Sequence, residues 1–134
     1  MAEDRSFRLK VITPERVFYD ADVEMVEFNT TEGEIGIYRG HVPMTVIVKP
    51  GILTVYETGG SKNAALHAGF VEILQDKVTI LAEVIEWPGE IDKERAEAAR
   101  VRAEERLRTK TPETDVLRAE TALQRAITRI HAIE

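Results

Sequence analysis

The sequence predicts an α+β chain: a small β-sandwich or flattened barrel followed by an antiparallel two-helix hairpin. Three observations predict it. Short apolar–polar alternations separated by turn signals fill the first 86 residues. Trp87-Pro88-Gly89 breaks the pattern. Beyond it the apolar period becomes three to four, and glycine disappears.

The strands come first. Phe7-Arg8-Leu9-Lys10-Val11 alternates apolar and polar residues, as a half-buried strand does. Val23 to Phe28, Ile52 to Tyr56 and Val78 to Ile85 are rich in β-branched and aromatic residues. Thr13-Pro14-Glu15, Glu32-Gly33-Glu34, Lys49-Pro50-Gly51, Gly59-Gly60-Ser61 and Gln75-Asp76-Lys77 supply the turns. Two hairpins follow. One pairs Thr54–Glu57 with Asn63–Leu66 across Thr58 to Lys62, and the other pairs Phe70–Leu74 with Val78–Leu81.

In the second part, Ala96, Ala99, Ala103 and Leu107 share one helical face, with Asp92 as N-cap. Thr111-Pro112 is expected to cap and open a second helix. Its seam would be Val116, Ala119, Leu123, Ala126, Ile130 and Ile133. The short connection allows the helices to fold back on each other. Alanines bury little apolar surface, so two readings stand: an arm that undocks, or a permanently packed hairpin. Opened end to end, such helices would span roughly 60 Å. The domains are therefore 1–87 and 91–134.

Charge excludes some classes. The chain carries a net −6. Residues 1–90 hold 8 Lys and Arg against 15 Asp and Glu, while residues 91–134 hold 10 against 9. An acidic front argues against nucleic acid as a partner, and the arm has no aromatic on which a base could stack. There is no cysteine, hence no disulfide framework or thiolate metal site. The opening residues lack a signal-peptide core, and no apolar run is long enough to span a membrane.

No nucleophile and base stand in a recognisable arrangement. Ser6 and Ser61 are the only serines, and Gly59-Gly60-Ser61-Lys62 lacks phosphate-loop spacing. An enzyme is the weak reading.

Gly33-Glu34-Ile35-Gly36-Ile37-Tyr38-Arg39-Gly40-His41-Val42-Pro43 resembles the signature of the epsilon subunit of bacterial F-type ATP synthases. Gly69-Phe70-Val71-Glu72-Ile73 with Lys77 to Ala82 is a second match, and Val11 to Tyr19 a third. They stand in family order, and with the arm the resemblance covers essentially the whole chain. Ala68 stands where the family has a glycine and Arg39 where it often has proline.

The resemblance implies a ten-stranded β-sandwich plus a helical hairpin. It implies a non-catalytic rotor subunit that joins the gamma subunit to the ring of membrane-embedded subunits. The arm would inhibit ATP hydrolysis by rising into the alpha/beta catalytic head. The implied location is peripheral, on the cytoplasmic face of the plasma membrane, with no direct membrane span. Glu34, Arg39 and His41 would form the loop that contacts the ring. Gly33, Gly36 and Gly40 read as backbone positions closed to other residues. His41 is either a contact residue or a turn residue bonding nearby backbone, and a metal site is not expected. Arg118, Arg125 and Arg129 would meet an acidic surface on the head.

Ile91-Asp92-Lys93-Glu94-Arg95-Ala96 resembles the ATP-binding motif of some family members. With Glu86, Arg102, Arg125 and Arg129, these positions imply a site for ATP as a regulatory ligand, no cofactor being required. The helix start offers N–H groups, the arginines bind phosphate, and Asp92 and Glu86 accept from adenine or ribose. Trp87 stands where some nucleotide binders carry arginine. The plainer reading makes Asp92 a helix cap and Arg95 a solvated residue. The rival classes are a free-standing nucleotide-sensing module and a small β-domain enzyme.

Overall fold

The computed structural model describes residues 5–134. Eight strands and two α-helices form there: β1 Phe7–Ile12, β2 Val17–Val23, β3 Met25–Thr30, β4 Gly33–Ile37, β5 Met44–Ile47, β6 Gly51–Glu57, β7 Gly60–Ile73, β8 Lys77–Glu86, α1 Lys93–Arg108 and α2 Val116–Ala132. The main path of the sheet runs β2-β1-β8-β7-β6-β3-β4, with β5 on β7. All pairs are antiparallel except β1 with β8.

The described residues thus hold eight strands where ten were expected. Part of the difference lies in β7, which is one strand of 14 residues. Its first half pairs with β6 and its second with β5, so it serves two partners in succession. The change falls at the irregularity around Ala68 and Gly69. There the strand bends, as bulged strands do. The bend curls the sheet. Tyr19 on β2 donates its hydroxyl to Glu57 on β6, although three strands separate them in the sheet order. Between the two curled halves lies one core, with Leu9, Val26, Phe28, Leu53, Leu66, Ile73 and Ile80 among its members.

The Val23–Phe28 segment divides at Glu24 between β2 and β3. The first hairpin is tighter than expected. Glu57 pairs directly with Gly60, leaving Thr58-Gly59 as the turn, with Gly59 at φ 89. The second hairpin closes as read, with the Leu74 amide donating to the Lys77 carbonyl.

In the arm, Asp92 caps α1 by accepting from the Arg95 amide at 3.1 Å. The second helix begins later than Thr111-Pro112 suggests. Asp115 is its N-cap, accepting from the Arg118 amide at 3.0 Å. Thr111 to Thr114 instead closes a separate turn: Thr114 N donates to the Thr111 carbonyl, and Thr111 N donates to the Thr114 hydroxyl. Proline fits the second position of a turn as well as a helix start, and this turn takes it. The helices of 16 and 17 residues together measure about 50 Å, less than the sequence suggested. Ala96 and Ala103 of α1 and Ala119 and Ala126 of α2 are buried, and α2 also packs on β6 and β7. The arm is folded back and docked.

Candidate functional site

The segment joining strand and helix is the base of the site. Trp87 stacks on Phe18 with ring centroids 4.3 Å apart, and Tyr19 meets it edge-on. Pro88–Glu90 forms one short 3₁₀ turn. Glu90 fastens it: its carboxylate accepts from the Trp87 amide at 3.0 Å and from Arg16 at 2.7 and 2.8 Å. The Trp87 amide, first, and Arg16 hold the Glu90 carboxyl below the usual carboxylate range, against a smaller upward push from burial. Ile91 and Asp92 are extended and lead into α1.

Between this linker, α1 and α2 lies a cleft of about 390 Å³, lined by Glu86, Glu90, Ile91, Asp92, Arg95, Ala96, Ala99, Arg102 and Arg129. Residues far apart in sequence meet here because α2 folds back across the end of β8. Of the residues that the motif resemblance implied, Glu86, Ile91, Asp92, Arg95, Ala96, Arg102 and Arg129 line it. Arg125 does not. Its Nε is buried and has no hydrogen-bond partner among the described residues. Trp87 is turned away, onto Phe18.

The charges divide into two groups. Glu86 accepts from Arg129 Nε at 2.7 Å, Glu90 is held by Arg16, and Asp92 caps the helix. Arg95 and Arg102 are exposed and in no ion pair among the described residues. Two uncommitted guanidinium groups, Arg95 in the first turn of α1 and Arg102 two turns along it, suit a polyanion.

Sequence reading missed three residues. Glu90 and Ala99 line the cleft, and His67 lies behind it. His67 is 1% exposed and stands 2.9 Å from Glu86 through Nε2. Glu90 was legible as a carboxylate beside the break. No local signal marks His67, because its burial depends on α2.

The remaining expected sites are scattered. Arg118 is exposed, whereas Arg125 and Arg129 are half-buried, so the three offer no common open face while the arm is docked. Glu34 lies near one end of β4, in a groove with Asn29, Lys49, Gln124 and His131. Arg39 and His41 lie beyond the other end. Arg39 donates to the Ser6 carbonyl at 3.2 Å, and His41 Nδ1 lies 2.8 Å from the Val42 carbonyl, the geometry of a turn residue. Gly33 and Gly40 have positive φ, but Gly36 does not. At Gly36 an added Cβ would come within 2.7 Å of Met25 Cε only, the end of a flexible side chain that can move aside. No group of three metal-ligating side chains occurs among the described residues.

Residues 6–88 match the family described as ATP synthase, Delta/Epsilon chain, beta-sandwich domain. Residues 90–134 match its companion, the long alpha-helix domain. The chain belongs to the epsilon chain family of bacterial F-type ATP synthases. It is 46% identical over 128 residues to the ATP synthase epsilon chain of Caldanaerobacter subterraneus, covering 95% of this chain and 93% of that one. It is 44% identical over 126 residues to that of Bacillus licheniformis, covering 94% and 96%. A chain in the Euglena gracilis mitochondrial ATP synthase has the same fold, with TM-score 0.85 at 23% identity over 100% of this chain and 85% of that one. As an epsilon chain it is a non-catalytic subunit of the ATP synthase complex.

Proposed function

We propose that this epsilon chain couples gamma to the membrane ring through its sandwich and restrains ATP hydrolysis through its arm. The observation that carries the second part is the orientation of α2. Of its arginine stripe, Arg125 and Arg129 are half-buried in the docked state while Arg118 is exposed, and undocking would present all three together to the alpha/beta head. The alanine seam favours such release, because small side chains bury little area.

The sandwich has a surface suited to a protein partner. Ile47, Phe70, Leu81 and Val17 are exposed, at 62%, 46%, 37% and 56%. Pairing places them in one row across β5, β7, β8 and β2, with Ile12 of β1 between. A continuous apolar row on a sheet face is a feature of interaction sites. We assign it to gamma, and the Arg39–His41 loop to the ring. The chain would then be peripheral at the cytoplasmic face. No helix among the described residues is long and apolar enough to cross a membrane.

ATP would act as a latch. A nucleotide held by Arg95 and Arg102 of α1 and reaching Arg129 of α2 binds only the docked arm. It adds about 1.4 kcal/mol to that form for each tenfold excess over its dissociation constant. Low ATP would release the arm.

Reconstitution with gamma and the catalytic head tests the reading. The parent chain should lower ATPase activity at low ATP, and replacing Arg118, Arg125 and Arg129 by alanine should relieve that effect. Helix content must be checked by circular dichroism. Equal ATPase activity with parent, variant and no epsilon chain would exclude the inhibitory role. Failure to recover the chain with gamma would exclude the rotor role and favour a free-standing nucleotide sensor.

A further inference from the structure

Ala65 and His67 on β7 are 0% and 1% exposed, yet they alternate with Ala64 and Leu66, which face the sandwich core. They therefore lie on the opposite sheet face. Glu86, paired with Ala65 across β7 and β8, shares that face and bonds to Arg129 of α2. What buries His67 is the docked arm.

The hydrogen bonds fix the ring's protonation. Glu86 is the acceptor 2.9 Å from Nε2, so Nε2 carries the proton. Nδ1 is buried and has no partner among the described residues. In the neutral ring it is an unused acceptor, which is tolerable. In the imidazolium it would be a buried N–H with nothing to accept it, which is costly. The charged groups that act on the ring are Glu86 from β8 and Arg129 and Arg125 from α2. A protonated ring would make three cations around one carboxylate.

We propose that His67 is a proton-sensitive catch for the arm: neutral His67 permits α2 to dock over β7, and protonation releases it. Burial, above all, holds the ring below the ordinary histidine range; the Glu86 hydrogen bond pulls the other way, and Arg129 and Arg125 add smaller downward pushes. Undocking removes the cover and both arginines but leaves Glu86, so the ring binds a proton more tightly when the arm is away. The docked form thus binds fewer protons. Its stability is complete above the undocked pKa and falls as pH drops through that value towards the docked one. Acidification favours the free arm whether or not nucleotide binds. The catch depends only on the docked arm of this structure.

The chain has no cysteine, so a single introduced thiol can report docking. In Ala65→Cys the thiol lies under α2 and is modified only when the arm lifts. In Ala64→Cys it lies in the sandwich core and reports unfolding, and Glu83→Cys on exposed β8 corrects for thiol ionisation. Protection of the Ala65→Cys thiol relative to the Glu83→Cys thiol should fall between about pH 7.5 and 5.5, by up to tenfold per pH unit. Adding His67→Gln, which keeps a donor for Glu86, should flatten the profile. A flat profile in the parent, an undiminished slope with His67→Gln, or an equal slope for Ala64→Cys overturns the proposal. NMR titration of His67 in the unmodified chain is a second measurement. A value at or above the ordinary histidine figure of about 6.5 overturns it as well.

Discussion

Arg129, three residues before the end of α2, donates from Nε to the Glu86 carboxylate at the end of β8 at 2.7 Å, joining arm and sandwich by a half-buried ion pair. The same Glu86 oxygen faces His67 Nε2. One carboxylate therefore serves two elements, which makes the contact sensitive to the loss of any member.

Replacing Glu86 by glutamine should weaken arm docking, because Arg129 keeps its charge in a site that has lost its anion. Truncating one partner of such a pair costs about 1–3 kcal/mol. Arg129→Ala should cost less, since it leaves Glu86 with His67 and water. A double-mutant cycle should give a coupling of about 1 kcal/mol, read from denaturant unfolding of the full chain. Additive effects would mean that the pair does not hold the arm.

The linker predicts where the arm pivots. Trp87 is stacked on Phe18, and Glu90 is tied to Arg16 and to the Trp87 amide. Residues 87–90 therefore stay with the sandwich, and rotation falls at Ile91-Asp92. Emission from the single tryptophan should remain unchanged when the arm undocks. In Glu90→Gln it should change, as the turn loosens. Acid should have the same effect. A carboxyl whose folded pKa is depressed contributes stability above its unfolded value of about 4.3, and that contribution is lost as pH falls through the folded pKa. A shift of Trp87 emission on undocking at neutral pH would move the pivot to the Trp87-Pro88-Gly89 break.

The strand bend has one irreplaceable residue. Gly69 has φ 147, and a Cβ there would sit 2.2 Å from the Leu81 carbonyl oxygen, which is backbone and has nowhere to go. Gly69→Ala should destabilise the sandwich by about 3 kcal/mol or more, strain and overpacking adding together. Ala68→Gly, beside it, should be far milder. Chemical denaturation of both variants checks the difference.

How much of this was legible follows the range of the interactions. β1, β6 and β8 carry strong alternation or β-branched runs, and Asp92 is a local cap, so both kinds of signal were readable. β4 is glycine-rich and β5 only four residues long, and each exists because a neighbour supplies its hydrogen bonds. The count of ten strands came from resemblance, and continuous β7 departs from it. Thr111-Pro112 carries a helix-start pattern that an isolated turn satisfies equally well, while Asp115 caps with no proline behind it. At the cleft, the residues near Asp92 share a local motif. His67 needs α2 above it, which no window of sequence contains.

The latch makes the sharpest demand on the cleft. Arg95 and Arg102 lie seven residues apart on α1, two turns along one face, and both open onto it. Arg129 faces them from α2 but is engaged by Glu86. The free pair should therefore dominate phosphate binding. By calorimetry on the full chain, ATP should give a saturable isotherm. Arg95→Ala and Arg102→Ala should each weaken it by about tenfold, the loss of one charge-assisted contact of about 1.4 kcal/mol. Arg125→Ala should weaken it less directly, since Arg125 lies outside the cleft and acts through docking. The order of effects separates the two roles: a loss at Arg125 larger than at Arg95 would place the phosphates between the helices and the sheet, away from the start of α1. No saturable heat at millimolar ATP in the parent chain would leave Asp92 a helix cap and the arm governed by its packing and by the Glu86, Arg129 and His67 cluster.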